Sequence, residues 1–417
     1  MPHKLIRQAL NGKHPSDRMW HKHDLQDRYD VVIIGGGAHG LACAYYLSKH
    51  HNITNVAVLD KGYIGSGGSG RNTTIIRSNY LTPEGVRFYD ESVKLYKEMS
   101  AEFDFNVMFS QRGHLTLAHT DSALRTMRRR AEVNQIQGVD SRVIYLDEIK
   151  KLCPIIDITD HPRYPIMGAL YHPPGGIIRH DAVVWGYAHH ADRRGVHIHQ
   201  KTEVTGISVE NNRVTGVHVN ELGGTRNFIK TGIVLNATAG WCTTIAEMAG
   251  VRLPITTFPL QACVTEPLKP FLDVIIVSGS LHVYVSQSDR GELVMGASVD
   301  PYASYSMNGS LSFVENLAGH MLELFPSLRH VRVLRQWAGL CDMTPDFSPV
   351  MGFTPVEGFL VDVGWGTWGF KASPVSGKRM AELIATNQTP DILYPFRLSR
   401  FAENDLVGEK GAASVGH

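Results

Sequence analysis

Gly35, Gly37 and Gly40 have the spacing G-x-G-x-x-G and stand between an apolar run, Val31 to Ile34, and a stretch of small residues. Glycine at those places lets the chain turn tightly out of a strand, lets bare backbone approach a pyrophosphate, and lets the following helix pack on the sheet. Asp60, twenty residues beyond Gly40 at the end of VAVLD, offers a carboxylate to accept hydrogen bonds from a ribose. The chemistry implied is dinucleotide binding, and both NAD and FAD use this first unit. Further on, IVLNATAGW at 233–241 ends an apolar strand in small residues, where a second backbone can pass close to the ligand. Gly364, Gly366 and Gly369 then open a late strand–turn–helix.

A second feature is YHPPGGIIRH at 171–180, which sets His172 directly before Pro173, Pro174, Gly175 and Gly176. Two prolines fix the entry to a turn and two glycines free its exit, so the histidine is held on a stiff turn rather than on a helix face. On these residues alone it is a loop histidine in a His-rich chain.

The elements that must position these groups follow from periodicity. Residues 31–60 read as strand, helix, strand; 84–104, 122–137 and 181–194 read as helices, the second basic and exposed; 203–235 alternates like strands. Short strands over 258–299 turn at Asp289-Arg290-Gly291. The expected fold is α/β (α+β overall): a discontinuous dinucleotide-binding part over 29–105, 145–255 and 340–390, and a β-rich substrate part over 106–144 and 256–339. Residues 1–28 are expected to be an N-terminal arm of the kind that lies on a neighbouring subunit, and 391–417 a tail, loose after about 400. The 417 residues, 43% hydrophobic, suffice for two or three cores. With 41 basic and 40 acidic residues nothing favours nucleic acid or a membrane surface, and a small substrate is expected. No apolar run is long enough to cross a bilayer and the N-terminus lacks an apolar signal stretch, which points to the cytoplasm. The five cysteines are scattered without CxxC spacing, so neither a disulfide framework nor a metal site is expected.

Taken in order, the early G-x-G-x-x-G, the middle NATAGW and the late glycine turn resemble the D-amino-acid oxidase and sarcosine oxidase superfamily over about residues 29–390. The resemblance implies FAD, held without a covalent bond by Gly35, Gly37, Gly40, Asp60, Lys61, Arg71, Thr73, Gly364, Gly366 and Gly369. GSGGSGRNTTIIRSNY at 65–80 is similar to the sarcosine oxidase loop whose arginine faces the flavin, which makes Arg77 the carboxylate-binding residue; Lys371, in WGFKASP, matches the lysine on the other side. A guanidinium can hold a carboxylate through two parallel hydrogen bonds. Tyr80 is placed either at the site or in the core. Cys341, in CDMT, can be matched to a flavin-bound cysteine of single-chain relatives, while its surroundings also resemble the non-covalent members. Val294 stands where single-chain enzymes have an oxygen-activating lysine.

The long polar arm, the GRNTTIIRSNY loop and the histidine ahead of RHDAVVWGY together resemble the β subunits of heterotetrameric sarcosine oxidases. That implies oxidative demethylation of sarcosine at FAD, and electron transfer to an FMN bonded to His172 at the boundary with a larger α subunit. It also implies oxygen as final acceptor, small additional subunits, and tetrahydrofolate in a partner as an outlet for the one-carbon unit. A self-contained D-amino-acid or glycine oxidase and a non-catalytic assembly subunit are the alternatives.

Overall fold

The structure, a computed structural model, describes residues 19–409 apart from Thr225 and the side chains of Ala297 and Ser298. Residues 1–18 of the expected arm and 410–417 of the expected tail lie outside the described residues.

The strand Val31–Ile34 is buried along its whole length, as a parallel strand covered on both faces must be. It pairs in parallel with Val56–Asp60 on one side and Val234–Asn236 on the other. The full sheet has six strands in the order Val350–Phe353, Phe359–Val363, Val234–Asn236, Val31–Ile34, Val56–Asp60, His197–Gln200, antiparallel only at its first pair. The helices Ala38–His50, Pro83–Glu102, His180–Asp192 and Gly369–Thr386 pack together on one face around Ala42, Cys43, Tyr45, Val183, Tyr187 and Ala381. Each large apolar side chain buried there contributes about 1.5–3 kcal/mol.

Eight strands form the second sheet, in the order Val333–Met343, Thr256–Thr265, Leu293–Val299, Val283–Gln287, Ile275–Ser278, His114–Ala118, Gly168–His172, Arg142–Ile144. The strand Gly168–His172, in a segment expected on the nucleotide side, thus belongs to this sheet, because it pairs with His114–Ala118 and Arg142–Ile144. A small sheet ties Ile75–Ile76 and Ser110–Gln111 to Gly176–Ile177, so the loop before Arg77 is clamped to the turn after His172.

Two sequence expectations are corrected by packing. The helix Asp121–Ile136 forms as expected, with Thr120 capping it by accepting the Ala123 N–H at 3.1 Å, but its Arg130 points inward and is 4% exposed. The tail is ordered through residue 409: the fully buried Arg400 donates to both carboxylate oxygens of Asp346 at 2.8 and 2.9 Å and to the Ser348 carbonyl. Glu409 accepts the Leu81 and Thr82 N–H groups at 3.0 and 2.9 Å, where helix Pro83–Glu102 begins and a negative charge is favoured.

Candidate active site

Gly35 has φ of 114°, and a Cβ there would run into the Ala237 carbonyl; a Cβ on Gly40 would meet the carbonyl of Gly35. These two collisions explain why the turn and the helix start admit only glycine. Asp60 accepts the Gly36 N–H at 2.8 Å and the Gly62 N–H at 2.7 Å, which aims its carboxylate along the turn. Lys61 stands 3.4 Å over the Trp241 ring.

A cavity of about 790 Å³ begins at this turn. Gly35, Gly37, Asp60, Lys61, Arg71 and Thr73 line it, and so do Gly366, Gly369, Lys371, Arg77, His114 and Tyr284. The volume is in the range of cofactor sites. Bare backbone at the helix N-terminus, an aimed carboxylate at the end of the second strand and an extended cavity between them fit FAD. Gly40 and Gly364 are not in the wall: Gly40 packs the helix, and the Gly364 N–H donates to Asp342 Oδ2 at 2.6 Å. Burial raises the Asp342 carboxyl to about 6.

The wall around Arg77 and Lys371 is cationic and buried. Arg77, 7% exposed, donates from NH1 to the carbonyl and side-chain oxygens of Asn79 at 3.1 and 2.9 Å. Arg130 also donates to the Asn79 carbonyl, from Nε at 2.7 Å, and burial followed by the Arg77 charge lowers its guanidinium to about 9. Lys371, also buried, is held by its helix. Pro374 leaves the Phe370 carbonyl without its usual helical partner, and the Tyr96 hydroxyl donates to it at 2.7 Å. Ser92 donates to the Lys371 carbonyl at 2.5 Å. Burial first, then the Arg77 charge, pushes the Lys371 ammonium well below the usual lysine range.

Tyr80 is not in the wall. It is fully buried, stacked on Tyr89 at 3.8 Å and edge-on to Trp368, with the Arg77 guanidinium over its ring. It packs in the core cluster, with its ring against Arg77. Cys341 does line the cavity; burial raises its thiol pKa, which disfavours the reactive thiolate. Val294 pairs with Val264 and Ser286 and lies outside the wall, to which this sheet contributes, among others, Leu260, Ala262, Val277 and Tyr284 besides His114 and Cys341.

His172 is placed differently from the sequence expectation. It ends the strand Gly168–His172 instead of sitting on the turn, and it is 0% exposed. Its Nδ1 lies 2.8 Å from the Asp140 carbonyl and its Nε2 accepts the Ser78 N–H at 3.2 Å, so both nitrogens are engaged inside the protein. Burial lowers its pKa to about 3. A bond from Nε2 to FMN would displace its contact with the Ser78 N–H.

A residue that sequence reasoning missed is His114. It is 1% exposed, lines the cavity, and neither ring nitrogen has a hydrogen-bond partner. Burial, then Arg77 and His172, hold it well below the usual histidine pKa, so it is neutral. Its alternation within HLTLA reads as an ordinary strand position; a polar residue on a run buried on both faces was the available signal.

Residues 30–383 match the family described as FAD dependent oxidoreductase, the class that the sheet, turn and cavity define. Sarcosine oxidase subunit beta of Rhizobium meliloti is 47% identical over 98% of this chain and 96% of its own. The protein of the same name from Rhodobacter capsulatus is 45% identical over 99% and 98%. Among solved structures, L-proline dehydrogenase from P. horikoshii superposes with a TM-score of 0.84 at 30% identity, covering 92% of this chain and all (100%) of that one. The chain belongs to the FAD-dependent oxidoreductase family and, within it, to the sarcosine oxidase β subunits. It is a flavoprotein oxidoreductase, and among the described residues no helix is long and apolar enough to cross a membrane.

Proposed function

We propose that this chain oxidises sarcosine as the β subunit of a hetero-oligomer with a larger α subunit and small subunits. The observation that carries the reading is that Arg77 and Lys371, far apart in sequence, both line the cavity that starts at the dinucleotide turn and lie close enough for the Arg77 charge to act on Lys371. Two buried cations close together are costly, and a substrate carboxylate relieves both at once. It is thereby fixed in position, with its amine carried toward the cavity interior. The neutral His114 imidazole offers a lone pair to the substrate N–H, which a protonated histidine could not do. FAD held along the cavity by the glycine turn, Asp60 and Lys61 supplies a two-electron acceptor for the carbon–nitrogen bond.

The overall change balances as sarcosine, oxygen and water giving glycine, formaldehyde and hydrogen peroxide; with tetrahydrofolate in a partner the one-carbon unit leaves as methylene-tetrahydrofolate instead. No step is assigned to FMN. The second reading is a self-contained amino-acid oxidase, which would need no partner. Anaerobic addition of sarcosine to the purified holoenzyme should bleach its oxidised flavin. Bleaching by proline or glycine but not by sarcosine would overturn the substrate assignment, and flavin content per chain in material with and without partner subunits separates the two readings.

A further inference from the structure

His21, His23 and Asp192 meet at a place remote from the cavity, whose wall includes none of them. His21 and His23 are two apart in a segment that is neither helix nor strand, and both side chains turn to Asp192. Asp192 closes the helix His180–Asp192 and is 5% exposed. His21 Nδ1 lies 2.6 Å from Asp192 Oδ2 and His23 Nε2 lies 2.7 Å from Oδ1, which also accepts the His21 N–H at 3.1 Å. The His23 ring is itself braced, stacked on His197 at 4.1 Å and 5°.

The setting asks for positive charge. A carboxylate at a helix C-terminus faces the negative end of the macrodipole, and burial adds to its cost. Imidazole nitrogen and carboxylate oxygen are the donors that zinc and its neighbours in the first transition row take, and all three donor atoms lie within 4.8 Å of one another. Donors bound at about 2.0–2.2 Å in a tetrahedron stand roughly 3.3 Å apart, so the pairs must open slightly. The His21 side chain, 67% exposed, has the freedom to do this, and its exposure leaves the fourth position to water. We propose that His21, His23 and Asp192 bind one divalent ion of the zinc class, which pins the N-terminal segment to the end of this helix.

The test uses purified holoenzyme stripped with a chelator and titrated with Zn²⁺ by calorimetry and by metal analysis after dialysis. The wild type should retain one more equivalent per chain than the His21→Ala/His23→Ala double variant. Zn²⁺ should slow tryptic cleavage after Lys22 several-fold in the wild type only. Asp192→Asn keeps a hydrogen-bond acceptor but removes the anionic ligand, and should lose the same equivalent. Flavin content and sarcosine oxidation should be unchanged in the double variant, which separates this site from the substrate reading. Equal zinc stoichiometry in wild type and double variant, or zinc-independent cleavage after Lys22, would overturn the proposal and leave the cluster as hydrogen bonds alone.

Discussion

The guanidinium of Arg77 stands 4.5 Å over the ring of Tyr80, measured from Cζ to the ring centre. The ring lies stacked on Tyr89 and cannot move away, while Asn79 holds NH1 from the side. An arginine fixed on two flanks presents a constant face to the cavity.

Arg77→Lys keeps the charge and loses the planar fork, so kcat/KM for sarcosine should fall by the equivalent of about 2 kcal/mol or more. Lys371→Met should behave alike. Flavin content is the control, and unchanged kinetics in flavin-loaded variants would remove both residues from substrate binding.

Asp60→Ala should weaken FAD retention, because the loop amides of Gly36 and Gly62 lose the acceptor that shapes the turn as well as the group aimed at the ribose. The flavin-loaded fraction should keep the wild-type KM. Gel filtration followed by flavin absorbance reads the first effect, and steady-state kinetics the second.

His114→Leu keeps volume and removes both ring nitrogens from the cavity wall. Flavin should stay bound while kcat/KM falls about 10-fold, the equivalent of one lost hydrogen bond to substrate of ~1.4 kcal/mol. A variant indistinguishable from wild type would make His114 a spectator.

His172 gives a stability test with a definite sign. Burial lowers its pKa to about 3 in the fold, from 6.5 for an ordinary histidine. Between those values the unfolded chain binds a proton that the folded chain refuses, so its contribution to stability is present above pH 6.5 and is lost as pH falls toward 3. The loss is on the order of 4 kcal/mol, and His172→Gln should lack it. Denaturant titrations of both proteins at pH 7 and pH 5 should therefore show their difference shrinking on the acid side.

Arg400→Met leaves the Asp346 carboxylate buried without its partner and should destabilise the fold by about 3–5 kcal/mol, seen as a lower thermal midpoint. A shift within error would return residues 400–409 to the loose tail that their composition suggests.

What could be read in advance follows from how local the signal is. The strand, turn and helix around Gly35, Gly37 and Gly40, and the carboxylate of Asp60, are set by residues close in sequence, and they stand as expected. Arg77 and Lys371 came through resemblance, since nothing near either residue says that the two face one cavity. His172 misled because a Pro-Pro-Gly-Gly turn suggests exposure, whereas strand pairing with His114 decides where the ring goes. Arg130 and Arg400 misled in the same way: their long side chains reach inward to Asn79 and Asp346, and charge is a poor guide to burial once a partner lies across the fold.

The ring of His39, in the first helix, rests against the Gly369 carbonyl at 2.8 Å and the Asp362 carboxylate at 3.1 Å, more than three hundred residues later in the chain. The compartment that begins at the early glycine turn thus has no far wall until those late residues arrive. Closing so long a loop is slow compared with pairing neighbours, because its entropy is lost before any contact compensates. A chain cut short before Gly369 is therefore expected to form the first strand–helix–strand and yet retain little FAD, which would make cofactor uptake a reading of whether the two ends have met.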